Sequence, residues 1–193
     1  MKKLIFILIA LLTFSAIADA QLITSSTIRK QRKHELWMDF GAGLNSAREA
    51  GDKPQNAFRA SVGIRWTKCY SKYFAMDYIN FSASYIPKSS EKEGEGGGAS
   101  LLIGPKAKLP ISDKASFFVN ANMGVTYLTL ITGVDKNKGY RSNGASYCQE
   151  TGLGVIFNER VQLTAAYVFA PNLGNYTPKV INDYFMGKFS FSF

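Results

Sequence analysis

The chain has 193 residues, with 23 Lys and Arg against 14 Asp and Glu, for a formal net charge of +9. Apolar residues make up 46% of it, which excludes a disordered chain, and the length allows one domain with a substantial core or a small barrel. Two cysteines without a C-x-x-C pair exclude a disulfide-built scaffold, and a single histidine, His34, excludes most metal sites and any mechanism needing two imidazoles.

Residues 1–20 read as an export signal. Lys2 and Lys3 open it, Leu4 to Leu12 form an uncharged apolar run, and Ala18-Asp19-Ala20 places small residues where a signal peptidase cuts, before Gln21. The apolar run falls short of the roughly 18–20 residues of a spanning helix. Residues 21–34 form an arm with a dense basic stretch, Arg29, Lys30, Arg32 and Lys33. Export takes nucleic acid off the list of partners, and no glycine-rich nucleotide motif occurs.

From residue 35 onward the pattern has a period of two, the signature of half-buried strands. Leu36, Met38, Phe40, Ala42 and Leu44 alternate with Trp37, Asp39, Gly41 and Gly43. Phe58, Ala60, Val62, Ile64 and Trp66 alternate with Arg59, Ser61, Gly63 and Arg65. In 73–86 the apolar face changes parity, through a bulge near Tyr78 or a different register. The registers of 99–109 and 144–157 are left open. Gly94 to Gly98, within Glu-Gly-Glu-Gly-Gly-Gly, reads as a flexible loop, too acidic to cradle a phosphate. In Ser116 to Ile131, Phe117, Val119, Ala121, Met123, Val125 and Tyr127 take one face and Asn120, Asn122 and Thr126 the other. Val161 to Phe169 and Phe185 to Phe193 repeat the alternation.

The runs number eight, joined by long links near 45–55, 87–98, 132–143 and 171–180 and short ones at 67–72, 110–114 and 158–160. This predicts an all-β fold, an eight-stranded antiparallel up-and-down transmembrane β-barrel over 35–193, with short turns on the periplasmic side. Trp66, Tyr73, Phe157, Phe191 and Phe193 would form one aromatic girdle, and Tyr85, Tyr127, Tyr147 and Phe169 the other. A soluble secreted β-sandwich binding protein is the alternative.

The ending Phe185-Met186-Gly187-Lys188-Phe189-Ser190-Phe191-Ser192-Phe193 resembles the C-terminal insertion signal of bacterial outer-membrane barrels, through Phe189, Phe191 and Phe193. With the export signal and eight strands, the chain resembles the small OmpA/OmpX-like barrel superfamily. The resemblance implies residence in the cell outer membrane, contact with its lipid, and insertion by the barrel assembly machinery. It implies no particular activity, because one fold hosts many functions.

Eight strands leave a bore that side chains fill. The inward face carries Asp39, Arg59, Arg65, Lys106, Lys108, Glu150 and Lys188. Diagonal pairing predicts an ion cluster of Asp39, Arg65 and Lys188, with Glu150 meeting Arg59 or a lysine across the lumen. His34 alone supplies no Ser-His-acid arrangement, so no catalysis, cofactor or metal is expected. Cys69 in a short turn and Cys148 high in strand six are too far apart to bond. The arm, with Lys68, Lys72 and Lys114, makes a basic rim for lipid phosphate or an acidic partner, or else a solvated tail. Two roles follow: a structural or surface-interaction barrel with a possible extracellular protein partner, or an accessory subunit of an envelope secretion or conjugation apparatus working through a periplasmic one.

Overall fold

The computed structural model of the protein describes residues 34–45, 48–49, 57–87, 95–132, 140–170 and 180–193. The export signal, the basic stretch Arg29–Lys33 and most of the long connections lie outside these residues. Eight long strands follow in order: β1 (His34–Asn45), β2 (Ala57–Cys69), β3 (Phe74–Ile86), β4 (Glu95–Ser112), β5 (Ala115–Thr132), β6 (Tyr140–Phe157), β7 (Val161–Ala170) and β8 (Val180–Ser192). Each pairs antiparallel with the next, and β1 pairs with β8, from Trp37 opposite Ser192 to Asn45 opposite Tyr184. The sheet is therefore closed. A two-residue strand, Arg48–Glu49, extends the seam along Ile181 and Val180 of β8.

The alternation sorts the two faces in the opposite sense to a water-soluble protein. Leu36, Phe40, Leu44, Phe58, Val62 and Ile64 are exposed on the outer wall of β1 and β2, while Asp39, Arg59, Arg65 and Thr67 are buried inside. The other strands repeat this, from Leu101 and Val125 to Leu153 and Phe185 outside, and from Ser100 and Asn122 to Glu150 and Ser190 inside. Such an exterior cannot be covered by water cheaply, and hydrocarbon is the medium it suits. Apolar side chains also enter the bore at two levels. Trp37, Phe118 and Ile156 pack together toward the short turns, and Leu102, Cys148, Val168, Ala170, Tyr184 and Met186 form a second cluster toward the loops.

The parity change in β3 is a bulge. Trp66 pairs with Ile79 and Thr67 with Asp77, so Tyr78 is the extra residue. The same irregularity appears toward β4, where Asp77 faces Gly104 and Asn80 faces Leu102. Its result is that Asp77 and Asn80, three apart, are both buried in the lumen, while Ile79 is exposed on the wall.

Three expectations are corrected. Residues Glu95–Gly98 of the glycine run are strand, not loop, paired with Leu128–Ile131 of β5, and β3 pairs with Gly96–Gly98 on the other side. The missing side chain at Gly98 is what lets the strands close there, since a Cβ would stand 2.7 Å from the Tyr127 carbonyl oxygen and 2.9 Å from Leu128 Cδ1. Tyr73 is buried, because it shares parity with the inward Ala75 and Asp77. Cys69 ends β2 with its thiol inward rather than standing in the turn. The other girdle residues face outward as their parity requires, Trp66, Tyr85, Tyr127, Tyr147, Phe157, Phe169 and Phe193 all being exposed.

Close strand approach makes one glycine a test of the packing. A Cβ on Gly104 would collide with the Ala121 carbonyl oxygen and stand 2.6 Å from the Asn122 Cα and Oδ1 atoms. Gly104→Ala is expected to destabilise the barrel by about 1–3 kcal/mol, read from urea unfolding in vesicles. Gly187→Ala, whose Cβ would meet only the Ala42 carbonyl oxygen at 3.8 Å, should leave the midpoint where it is.

Candidate functional site: the ion-paired lumen

Arg65 is the centre of the lumen. It extends from β2, 3% exposed, and its Nη2 donates to Asp39 Oδ1 on β1 at 3.1 Å. Its Nη1 lies 3.6 Å from Asp77 Oδ2 on β3. Asp77 in turn accepts from Lys106 Nζ of β4 at 3.1 Å and from Thr67 Oγ1 at 2.5 Å. Behind the guanidinium, its carbon sits 5.4 Å from the centre of the Trp37 ring. With its amide set to satisfy its neighbours, Gln162 of β7 accepts from both Arg65 Nη atoms, at 3.2 and 3.3 Å. Two carboxylates, two cations, a ring and an amide from five strands thus converge on one level. Buried charges are tolerated on such terms, with every ion paired and hydrogen-bonded.

Two further pairs lie above and below. Toward the short turns, Lys108 Nζ of β4 crosses the bore to Glu35 of β1, at 3.2 and 3.5 Å from its two oxygens. Glu35 also accepts from the Trp37 indole N–H at 3.0 Å and from the Cys69 thiol at 3.1 Å. Lys108 stands 3.3 Å from the Cys69 sulfur. Toward the loops, Lys188 of β8 passes over β7 to bond Glu150 of β6. Arg59 donates to Ser84 Oγ at 2.6 Å, and its guanidinium carbon lies over the Tyr184 ring, 4.0 Å from its centre.

Sequence reasoning and geometry meet and part at named residues. Asp39 and Arg65 are brought together. Lys188 stays within electrostatic reach of Asp39 but makes its direct ion pair with Glu150, and the seam sets Ser190, not Lys188, opposite Asp39. Of the two partners expected for Glu150, it is a lysine, Lys188, that bonds it, while Arg59 meets a hydroxyl and an aromatic face. Asp77 and Glu35 were missed. The bulge hid the parity of Asp77, and Glu35 reads in sequence as the tail of a basic run, although it shares parity with Trp37. Cys69 and Cys148 are both buried free thiols, at opposite levels of the bore. Among the described residues, no three His, Cys, Asp or Glu side chains gather as metal ligands would.

The outer wall carries the remaining site residues. His34 opens β1 outside the bore, stacked on Trp66 at 5.6 Å between ring centres. Phe189 and Phe193 are exposed, and Phe191 packs between Phe40 and Phe193 at 5.9 and 5.1 Å. The Phe193 N–H bonds the Leu36 carbonyl oxygen at 3.2 Å, so the C-terminal residue is fixed to the first strand. At the short-turn rim Lys72, Lys114 and Arg160 are exposed, and Lys68 lies over the Tyr70 ring at 5.1 Å.

A closed up-and-down barrel of eight strands with a polar, ion-paired bore and an apolar wall decides the architecture. The chain has the fold of the small outer-membrane barrels. No family model and no curated protein matches the sequence, and solved structures share its shape at low identity. Neisserial surface protein A superposes with a TM-score of 0.55 at 12% identity, over 82% of this chain and 97% of that one. The outer membrane enzyme PagL gives 0.56 at 16%, over 80% and 99%. The attachment invasion locus protein Ail of Yersinia pestis, in complex with the heparin analogue sucrose octasulfate, gives 0.53 at 14%, over 83% and 100%.

Removing Asp77 alone leaves Lys106 and one side of Arg65 buried without their shared acid. Asp77→Leu is expected to destabilise the barrel by about 3–5 kcal/mol, whereas the double variant Asp77→Leu, Lys106→Met should recover much of the loss. Urea titration of the two variants and of Lys106→Met closes the cycle.

Proposed function

We propose that the protein resides in the outer membrane as a lipid-embedded barrel with a plugged bore, serving a structural or surface-interaction role without catalysis. The observation that carries this reading is the sorting of its side chains: a continuous apolar wall around a lumen filled by ion pairs and two apolar clusters. The wall calls for lipid as its partner. An eight-stranded bore is just wide enough for side chains to fill, and Asp39, Asp77, Glu35 and Glu150 are each committed to a lumen cation rather than to a reacting group.

The ending Phe189, Phe191 and Phe193 supports recognition by the barrel assembly machinery, with the export signal ahead of Gln21 delivering the chain to it. The short turns then face the periplasm and the long links the exterior, which leaves the links as the surface available to partners. One of the similar structures is an outer membrane enzyme and another an attachment invasion locus protein, so shape does not choose between those classes. Chemistry favours the second class. The chain's one imidazole, His34, is stacked on Trp66 at the short-turn end of the wall, away from the bore and from the long links.

Cell fractionation with gel electrophoresis of boiled and unboiled samples tests the reading. The protein is expected in the outer-membrane fraction, with the unboiled form migrating faster because the closed barrel resists unfolding by the detergent. Release as a soluble protein without a mobility shift would overturn it.

A further inference from the structure

The outer wall is not even. Ala42, Gly187 and Ala165 stand side by side in register across β1, β8 and β7. They floor a groove of about 700 Å³ whose walls include Phe40, Phe189 and Leu163, and Phe157 lines its short-turn end. The floor is open, since a side chain built on Gly187 would meet only the Ala42 carbonyl oxygen, at 3.8 Å. Immediately beyond Phe157 comes the β6–β7 turn, Asn158–Glu159–Arg160, with all three side chains exposed.

That turn is held firmly. The Ser192 N–H donates to the Arg160 carbonyl oxygen at 2.7 Å, and Ser192 Oγ donates to that of Glu159 at 2.9 Å. The Asn158 N–H donates to the Lys114 carbonyl oxygen at 2.7 Å, which draws the β4–β5 turn, with Asp113 and Lys114, alongside. An apolar groove therefore runs to a fixed polar rim that presents two cations and two carboxylates within a few residues.

We propose that this groove binds one zwitterionic phospholipid, with an acyl chain along Ala42, Gly187 and Ala165, its phosphate at Arg160 and Lys114, and its ammonium at Glu159. A chain seated in the groove touches the barrel on three sides instead of one, and dispersion contact grows with each buried methylene. The rim supplies what the chain cannot, a choice of headgroup. Cations attract any phosphate, but the neighbouring carboxylates oppose a headgroup of net negative charge and favour one that carries its own ammonium. The proposal rests on the reading that the wall faces lipid.

Native mass spectrometry of the delipidated full chain in detergent, after the heat-dependent mobility shift has been verified, tests it. Phosphatidylethanolamine and phosphatidylglycerol are added separately and in competition. One phosphatidylethanolamine per barrel should be retained in preference to phosphatidylglycerol. Gly187→Phe, which fills the floor, should lower that retention by about tenfold or more. Ala165→Leu provides a second filling variant should the first not fold, and Arg160→Glu should abolish the headgroup preference. Equal retention of the two lipids, retention unchanged by the filling variants, or a dimer formed through this face in place of a lipid adduct would overturn the proposal. A barrel that shifts on heating but binds no lipid fails this proposal alone; a chain without the shift fails the membrane reading with it.

Discussion

Everything in this molecule depends on the pairing of β1 with β8. A strand in hydrocarbon has no water to satisfy its N–H and C=O groups, so a sheet there must have no edge. The seam from Trp37 opposite Ser192 to Asn45 opposite Tyr184 removes the two edges that seven pairings alone would leave. Arg48–Glu49 prolongs it past the end of β1, and the Phe193 N–H finishes it at the other end on Leu36. The alternating phenylalanines of β8 belong to the strand that completes the closure. Their outward placement and their position at the seam follow from the same register.

Closure then dictates the interior. A narrow bore must be filled, and whatever fills it must have its polar groups paired. The chain meets this with three levels of paired charge and two apolar clusters set among them. Small residues keep the wall thin enough for long side chains to cross: Lys188 reaches Glu150 past β7, and Lys108 reaches Glu35 across the bore. Gly104 next to Asn122, and Gly98 next to Leu128, show the same economy of space. The ion pairs here act less as a source of stability than as a condition for filling the bore with charge at all.

Much of this was legible in the sequence. Period-two alternation and the rhythm of long and short links specified eight strands, and the inward list contained Asp39, Arg65, Lys106 and Glu150. What stayed hidden has physical causes. A bulge resets parity locally, so Asp77, the acid shared by Arg65 and Lys106, fell on no predicted face. Loop propensity pointed away from strand at Glu95–Gly98, where pairing on both sides overrides it. Parity names the face of Lys188 but not its partner, because a long amine reaches several acids and only the register of the closed sheet selects Glu150 over Asp39. Tyr73 shows the reverse failure, a residue typical of a membrane girdle whose parity turns it inward.

The bulge and the charges also act on how the barrel reaches its register. Inside–outside alternation rejects a slip of one residue, since every side chain would change faces. It is blind to a slip of two, about 7 Å along a strand, which keeps each residue on its own face. Arg65 is not blind to it. A two-residue slip of β2 changes its distance to Asp39 and to Asp77 at once, and Tyr78, as the one unpaired residue in its stretch of β3, marks where that strand must stop. Hydrophobicity thus chooses the face, and the buried ions proofread the position.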